Sequence, residues 1–294
     1  MYPAAIENYV RPASIDEALK AVTKYEAGEA MFIAGGQSLM QAVKSRLVRP
    51  RCVVDLQAVK DLRGVSAGSA GVRIGAMTRY AEIAAESRLT GAYEALVDAA
   101  SHVGDRQVRN RGTIGGSLCW NYVAACMPAA NLGVGSSMEL ISAAGRKRTV
   151  TADDFIRGPL ETAREDDEVL VAITLPAVSA KAGSAYKKWG LVTDALPVVG
   201  VSVYIELDGG GAIAKARFAV GGLASGPKRA RGAEAALVGK KAGDDKGIAE
   251  AVGKAAAEIE TQSDIWADSD YRKNLIRSLG AEVVASAFAR ASGK

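Results

Sequence analysis

Two paired-glycine turns, Gly35-Gly36 in FIAGGQSLM and Gly115-Gly116 in NRGTIGGSL, constrain this chain more than any other feature. In the first, the apolar run Met31 to Ala34 breaks at the glycines and gives way to Gln37 and Ser38 at the head of a helix pattern, QSLMQAVKSRL. Glycine permits unusual backbone angles and close approach, so successive N–H groups can turn toward one anion. A helix that follows adds the positive end of its dipole. The second turn sets its glycines beside the hydroxyls of Thr113 and Ser117. Each turn alone reads equally well as a plain connection into a helix. Two in one unit suggest two clamps on one extended diphosphate. Neither fits G-x-x-x-x-G-K-[ST], and neither gives G-x-G-x-x-G after a strand, so a P-loop and a Rossmann site are disfavoured.

Around these turns the chain alternates helical and extended patterns. Ser14 is a candidate N-cap, with Asp16 and Glu17 in the first turn and Ile15, Ala18, Leu19 and Val22 on one face. CVVDL at 52–56 and GVRIGAM at 71–77 read as strands, and residues 78–102 as one or two helices. DEVLVAITLP at 167–176 is a further strand, closed by Pro176. The small-residue stretch AVSAKAG then acts as a connector. Beyond it, VVGVSVYIEL at 198–207 and AIAKARFAV at 212–220 flank DGGG as a hairpin, and residues 228–291 are Ala-rich and helical. The expected fold class is α+β, with one domain over 1–177 and a smaller one over 183–291.

Composition narrows the chemistry. Among 294 residues, 37 basic side chains face 33 acidic ones, and a net charge of +4 without a clustered basic face does not indicate a nucleic-acid binder. His102 is the only histidine, so a histidine-built metal site is excluded. Cys52, Cys119 and Cys126 are too few for a four-cysteine zinc site or a conventional iron–sulfur cluster. Their odd number argues against a secreted disulfide framework and fits a reducing compartment. No signal peptide and no apolar stretch of about 18 residues is found, so a cytoplasmic protein without a membrane span is expected.

The ordered segments RPASIDEALK, FIAGGQSLMQAVKSRLVRP, VVDL, RIGAMTRYAEI, HVGDRQVRNRGTIGGSL, AYKKWG and SDIWADSDYRKNLIRSL carry a resemblance over nearly the whole chain. Together they resemble the FAD-binding medium subunit of molybdenum hydroxylases, the carbon monoxide dehydrogenase and xanthine dehydrogenase group. The resemblance implies a vanillyl-alcohol-oxidase-type FAD-binding domain followed by a C-terminal flavoprotein domain. It implies that Phe32, Ile33, Ala34, Gly35, Gly36, Gln37, Ser38 and Leu39 hold the FAD diphosphate with Thr113, Ile114, Gly115, Gly116 and Ser117. Val103 would line the isoalloxazine side, Leu170 would pack near the cofactor, and Lys187 or Lys188 would approach the flavin or its phosphates. It further implies a large molybdopterin subunit and a small subunit with 2Fe-2S clusters, in a dimer of heterotrimers. The expected function is an oxidoreductase subunit that passes electrons from a partner's iron–sulfur clusters through FAD to an external acceptor, with no catalytic residue on this chain.

One segment departs from the family pattern. Relatives continue after the second turn with a segment like AHADPAAD, whose last Asp contacts FAD. This chain reads CWNYVAACMPAAN, which puts Cys126 at that position. A thiol is a weak acceptor compared with a carboxylate, so Tyr122, Asn121 or a backbone group are candidates to replace it. Cys119 and Cys126 read as small, partly buried thiols. His102 reads as a hydrogen-bonded structural residue or a base. Arg106, Arg109 and Arg111 read as phosphate helpers, a partner contact or a solvated face. Tyr186, Trp189 and Trp266 read as packing or interface aromatics. A stand-alone FAD oxidoreductase and a flavin-free assembly subunit are the alternative functions.

Overall fold

The computed structural model describes residues 2–293. Its first lobe is a parallel sheet in which β1 (Asn8–Val10), α1 (Ile15–Val22), β2 (Ala30–Ile33), α2 (Leu39–Lys44) and β3 (Cys52–Asp55) follow in sequence, with β3 central. Ser14 caps α1 by accepting from the Glu17 N–H, as its sequence position foretold. The expected helix over QSLMQAVKSRL is confined to α2. Arg46 adopts φ 61° and the Leu47 N–H returns to the Ala42 carbonyl, which closes the helix early.

The second lobe opens with the hairpin β4 (Val65–Gly68) and β5 (Gly71–Gly75). Five helices follow: α3 (Tyr80–Ala84), α4 (Glu94–Ser101), α5 (Arg106–Arg111), α6 (Ile114–Trp120) and α7 (Cys126–Val134). Then come β6 (Ser137–Ser142), β7 (Lys147–Thr151), the short helix α8 (Ala152–Phe155), a small hairpin β8 (Ile156–Gly158) and β9 (Glu161–Thr162), and finally β10 (Glu168–Pro176). β10 returns to the centre of an antiparallel sheet of order β4-β5-β10-β6-β7. Its near-continuous apolar run has a physical cause: Leu170, Ile173 and Leu175 pack into the helical core, while Val169 and Val171 pack toward the first lobe. One strand therefore joins two cores. RGTIGGS, read from sequence as a loop, is the α5–α6 junction, and Gly115 and Gly116 belong to the first turn of α6.

The third sheet holds β11 (Ala182–Trp189), β12 (Val199–Leu207), β13 (Ile213–Gly221) and β14 (Lys228–Arg229) in that order, with the expected hairpin turn at Asp208–Gly211. One face packs on α9 (Arg231–Leu237), α10 (Asp245–Glu258) and α11 (Ser269–Ala291) through Ala185, Val201, Val203, Phe218 and Val220. The other lies against α4 and α7 of the second lobe, where the Ser184 hydroxyl accepts from the Ala95 N–H at 3.0 Å. Two ionic ties fix the contact. Arg290 Nη1 donates to Asp98 at 2.6 Å, and Arg217 and Arg229 reach Asp153 at 2.6 and 3.0 Å. The protein is α+β, and its sheets and helices meet around one cleft.

Candidate functional site

That cleft has a volume of ≈490 Å³ and is bounded by both glycine turns, the start of α7, β10 and the end of β11. The turns touch through Gly35. A Cβ built there would lie 2.1 Å from the Arg111 carbonyl oxygen and 2.8 Å from the Gly112 Cα. No side chain fits between them, so glycine is required at this crossing. Gly36 adopts φ 75°, and the chain then turns through Gln37 and Ser38 into α2. The N–H groups of Gly36, Gln37 and Ser38 have no partner among the described residues. They form an open row of donors of the kind that receives an anion.

The second turn differs from the clamp expected of it. Ile114 N–H donates to the Thr78 carbonyl and Gly115 N–H to the Ala76 carbonyl, so these two backbone donors are already used, and of the turn's leading N–H groups that of Thr113 has no partner among the described residues. The Thr113 hydroxyl accepts from Gly116 N–H at 3.1 Å and caps α6. What this turn offers is close approach and hydroxyl groups. A Cβ at Gly115 would meet Ala76 at 2.6 Å, and one at Gly116 would meet Thr113 Oγ1 at 2.9 Å.

The structure sorts the residues singled out from the sequence. Phe32, Ala34, Gly35, Gly36, Gln37, Ser38, Leu39, Val103, Thr113, Gly115, Gly116, Ser117, Cys126, Leu170 and Lys188 all line the cleft. Ile33 lies beneath the first turn, its Cδ1 3.4 Å from the Cβ position of Gly36, and Ile114 is fully buried in the helical core. Both support the turns from behind. Alternation along β11 separates the two lysines. Lys188 enters the cleft, and its ammonium donates to the Ala195 carbonyl at 2.5 Å. Lys187 faces α11, where it pairs with Glu282.

Cys126 begins α7 and is buried. Burial pushes its thiol up, opposed by the Tyr186 hydroxyl and the Lys188 charge. Burial also pushes the Cys119 thiol up to about 11, so the two side chains act as neutral thiols. Asn121 does not face the cleft. Its amide nitrogen donates to the Gly158 and Glu161 carbonyls at 2.7 and 3.0 Å, which ties down the β8–β9 turn. Tyr122 does line the cleft and is partly exposed. The His102 ring contacts the Asp98 carbonyl at 2.7 Å through Nδ1 and takes no part in the cleft lining. Arg109 steadies the cleft wall by donating to the Val103 and Gly104 carbonyls. Trp189 packs edge-to-face on Tyr271, with ring centroids 5.4 Å apart, whereas Trp266 is exposed.

Sequence reasoning missed the segment Asp194–Pro197, which crosses the cleft beside Lys188, together with Met31, Trp120 and Arg164. Arg164 and Asp194–Pro197 lie in irregular segments, which carry no periodic signal, while Met31 in β2 and Trp120 at the end of α6 read in the sequence as ordinary packing residues of their elements. Among the described residues no cluster of metal-ligating side chains occurs, and no helix is long and apolar enough to cross a membrane.

Residues 4–178 match the family described as the FAD binding domain in molybdopterin dehydrogenase, and residues 184–287 match the CO dehydrogenase flavoprotein C-terminal domain. The medium chain of glyceraldehyde dehydrogenase from Sulfolobus acidocaldarius is 32% identical over 279 residues, covering 95% of this chain and 97% of that one. The medium chain of carbon monoxide dehydrogenase from Hydrogenophaga pseudoflava is 31% identical over 290 residues, covering 99% of both. Solved structures agree: carbon monoxide dehydrogenase from Hydrogenophaga pseudoflava superposes with a TM-score of 0.91 at 32% identity, covering 99% of both chains. Quinoline 2-oxidoreductase from Pseudomonas putida 86 gives 0.89 at 31% identity, covering 100% of this chain and 99% of that one. The fold and cleft define an FAD-binding oxidoreductase subunit. The chain belongs to the medium-subunit flavoprotein family of the molybdenum hydroxylases.

The residues fit FAD. A free row of N–H donors faces one side of the cleft, glycines hold the two turns closer than any side chain allows, and apolar walls from Val103 and Leu170 flank a half-buried lysine.

Proposed function

We propose that this chain is the electron-transferring medium subunit of a multi-subunit molybdenum hydroxylase. Residues 1–177 hold FAD, and residues 183–291 close the cleft and present Lys188. The diphosphate lies along Gly35 to Ser38, with the Thr113 and Ser117 hydroxyls opposite. The ring system lies among Val103, Leu170, Cys126 and Lys188. FAD supplies the redox chemistry when bound, accepting electrons from a partner's iron–sulfur clusters and releasing them to an external acceptor. The protein's own part is to orient the cofactor, exclude water from it and set its electrostatic surroundings.

A large molybdopterin subunit and a small subunit with 2Fe-2S clusters complete the assembly, as a cytoplasmic dimer of heterotrimers. The observation that carries this reading is the free donor row at Gly36–Ser38 inside a cleft built by both matched domains. The test is a visible absorption spectrum of the protein purified with whatever accompanies it, followed by acid release of cofactor. Flavin bands with about one FAD per chain, overlaid by broad iron–sulfur absorption from co-purifying chains, are expected. Flavin without partners would replace this reading by a stand-alone oxidoreductase. A colourless intact complex would leave an assembly subunit.

A further inference from the structure

Two loops on one side of the cleft mouth expose apolar side chains that the fold does not use. Of the thirteen large apolar side chains exposed among the described residues, six sit here: Leu191, Val192 and Leu196 between β11 and β12, and Ile265, Trp266 and Tyr271 around the start of α11. An apolar area gathered in this way marks an interaction site on a soluble protein. The buried Arg272 brackets the two loops together. Its Nη1 donates at 2.5 Å to the Val198 carbonyl, where the first loop ends, and its Nη2 at 2.5 Å to Asp264 in the second. Trp189, where the first loop begins, packs on the Tyr271 ring. The second loop is stiff. Asp264 Oδ1 accepts from the Trp266 and Ala267 N–H groups at 2.9 and 3.1 Å, the Asp264 N–H donates to the Ala267 carbonyl at 3.0 Å, and the Ser269 N–H donates to the Ser263 hydroxyl at 3.0 Å. At the tip of this knuckle Ile265 is 87% exposed and Trp266 58%.

A backbone tied this well does not need those two side chains. A tryptophan held ready on a rigid loop enters a socket with little further loss of freedom, the condition under which an aromatic side chain dominates an interface. The surroundings set the sign of the complementary surface. Residues 260–271 hold four carboxylates and no cation, and only Asp264 is ion-paired among the described residues, with Arg272. Glu260, Asp268 and Asp270 therefore leave an acidic rim around an apolar centre. The patch also reaches the cleft, which Leu196 lines. We propose that Ile265 and Trp266 anchor a partner chain beside the cleft mouth, and that this partner is the iron–sulfur chain of the assembly, offering an apolar socket rimmed by lysine or arginine. An apolar anchor suits a permanent contact, whereas transient electron-transfer encounters bury little surface. Of the chains in the assembly, the one that hands electrons to FAD has to lie nearest the mouth. The inference rests on the proposed assembly and adds to it the face that is covered and the chemistry that covers it.

The test is made on the complex purified through a tag on this chain, with iron and FAD per chain measured on dilution and the co-purifying chains identified by mass spectrometry. In the double variant Ile265→Ser, Trp266→Ser the iron–sulfur chain is expected to dissociate about 30-fold more readily, the loss typical of a hot-spot aromatic. FAD on this chain should stay at the wild-type level. Glu260→Lys is expected to loosen the same chain and to make its retention less sensitive to salt than in the wild type. Leu47→Ser, a control at an exposed leucine beyond the end of α2, should change nothing. Unchanged iron content in the double variant would overturn the proposal. Loss of the molybdopterin chain with the iron–sulfur chain retained would overturn the occupant, as would loss of a dimer of this chain alone. A wild-type protein that carries FAD but no partner chain would end the assembly reading itself.

Discussion

Gly35 meets the Arg111 carbonyl so closely that a methyl group at position 35 would stand 2.1 Å from that oxygen. The obstacle is backbone, and backbone cannot rotate away as a side-chain tip can. Gly35→Ala must therefore push the β2–α2 turn off the α5–α6 junction and spoil the spacing between the donor row and the Thr113 and Ser117 hydroxyls. A change costing about 1.4 kcal/mol is tenfold in affinity, and at least that loss of FAD affinity is expected. The turn is at the cleft surface, so circular dichroism should match that of the wild type. Full FAD content in Gly35→Ala would show that the spacing of the turns does not govern binding.

The β11 lysines give a second test, because adjacent strand residues face opposite ways. Lys187 forms a surface pair with Glu282, each side chain more than half exposed. Such pairs contribute about 0–1 kcal/mol. Lys187→Met should leave both stability and FAD binding near wild type. Lys188→Met should weaken FAD binding by about 10- to 100-fold, the range for losing a hydrogen bond to a charged group. A fluorescence titration of the FAD-depleted protein reads both. Equal effects from the two substitutions would contradict the facing assigned to them.

Much of this architecture was readable in the linear chain, and the physics separates what was from what was not. β10 announced itself as an apolar run because both of its faces are buried, and the β12–β13 hairpin was marked by DGGG. Ser14 and its acidic first turn marked α1. The status of the second glycine turn was hidden. Its Ile114 and Gly115 N–H groups are spent on the Thr78 and Ala76 carbonyls, contacts that arise only when α6 docks against the strand end after β5. The Gly35–Arg111 crossing is likewise a contact between distant segments with no local signature. Separating Lys187 from Lys188 needed only the strand alternation plus knowledge of which face meets the cleft. That face is set by packing between the domains, so the sequence left the pair open. The segment Asp194–Pro197 has neither period nor motif, yet it roofs the corner at Lys188.

Acid should weaken the fold through Glu168. Burial pushes this carboxyl up, but the Arg148 guanidinium, the Glu165 N–H and the Arg146 charge outweigh it and hold the group below the usual carboxylate range. Arg148 Nε and Nη2 donate to the two carboxylate oxygens at 2.7 and 2.6 Å. A carboxyl whose pKa is lower in the folded than in the unfolded state binds protons preferentially in the unfolded state. Its stabilisation is present above the unfolded value of about 4.3 and fades as pH falls through the lower folded value. Glu168→Gln should lower stability at neutral pH by about 3 kcal/mol, since it leaves Arg148 without its main counter-charge. It should also flatten the loss of stability below about pH 4.3. Urea unfolding at pH 7 and at pH 3.5 checks both effects. An acid slope identical to that of the wild type would remove Glu168 from the account.

Asn121 and Leu160 hold each other in the left-handed region, at φ 44° and φ 58°, and the Leu160 N–H donates to the Asn121 carbonyl at 3.1 Å. Neither residue is glycine, and such a conformation costs roughly 1–2 kcal/mol per residue. The Asn121 amide offsets its own cost by bonding Gly158 and Glu161, whereas the side chain of Leu160 is half exposed and forms no compensating bond. The two positions should therefore respond in opposite directions. Asn121→Ala loses two buried hydrogen bonds and should destabilise by about 2 kcal/mol. Leu160→Gly relieves the backbone at the price of greater freedom in the unfolded chain, for a net gain of about 0.5 kcal/mol. Leu160→Val, with a branched Cβ in the same conformation, should lose stability instead. Urea midpoints of the three variants decide the matter, and a Leu160→Gly protein less stable than Leu160→Val would mean that the leucine side chain, not the backbone, governs this turn.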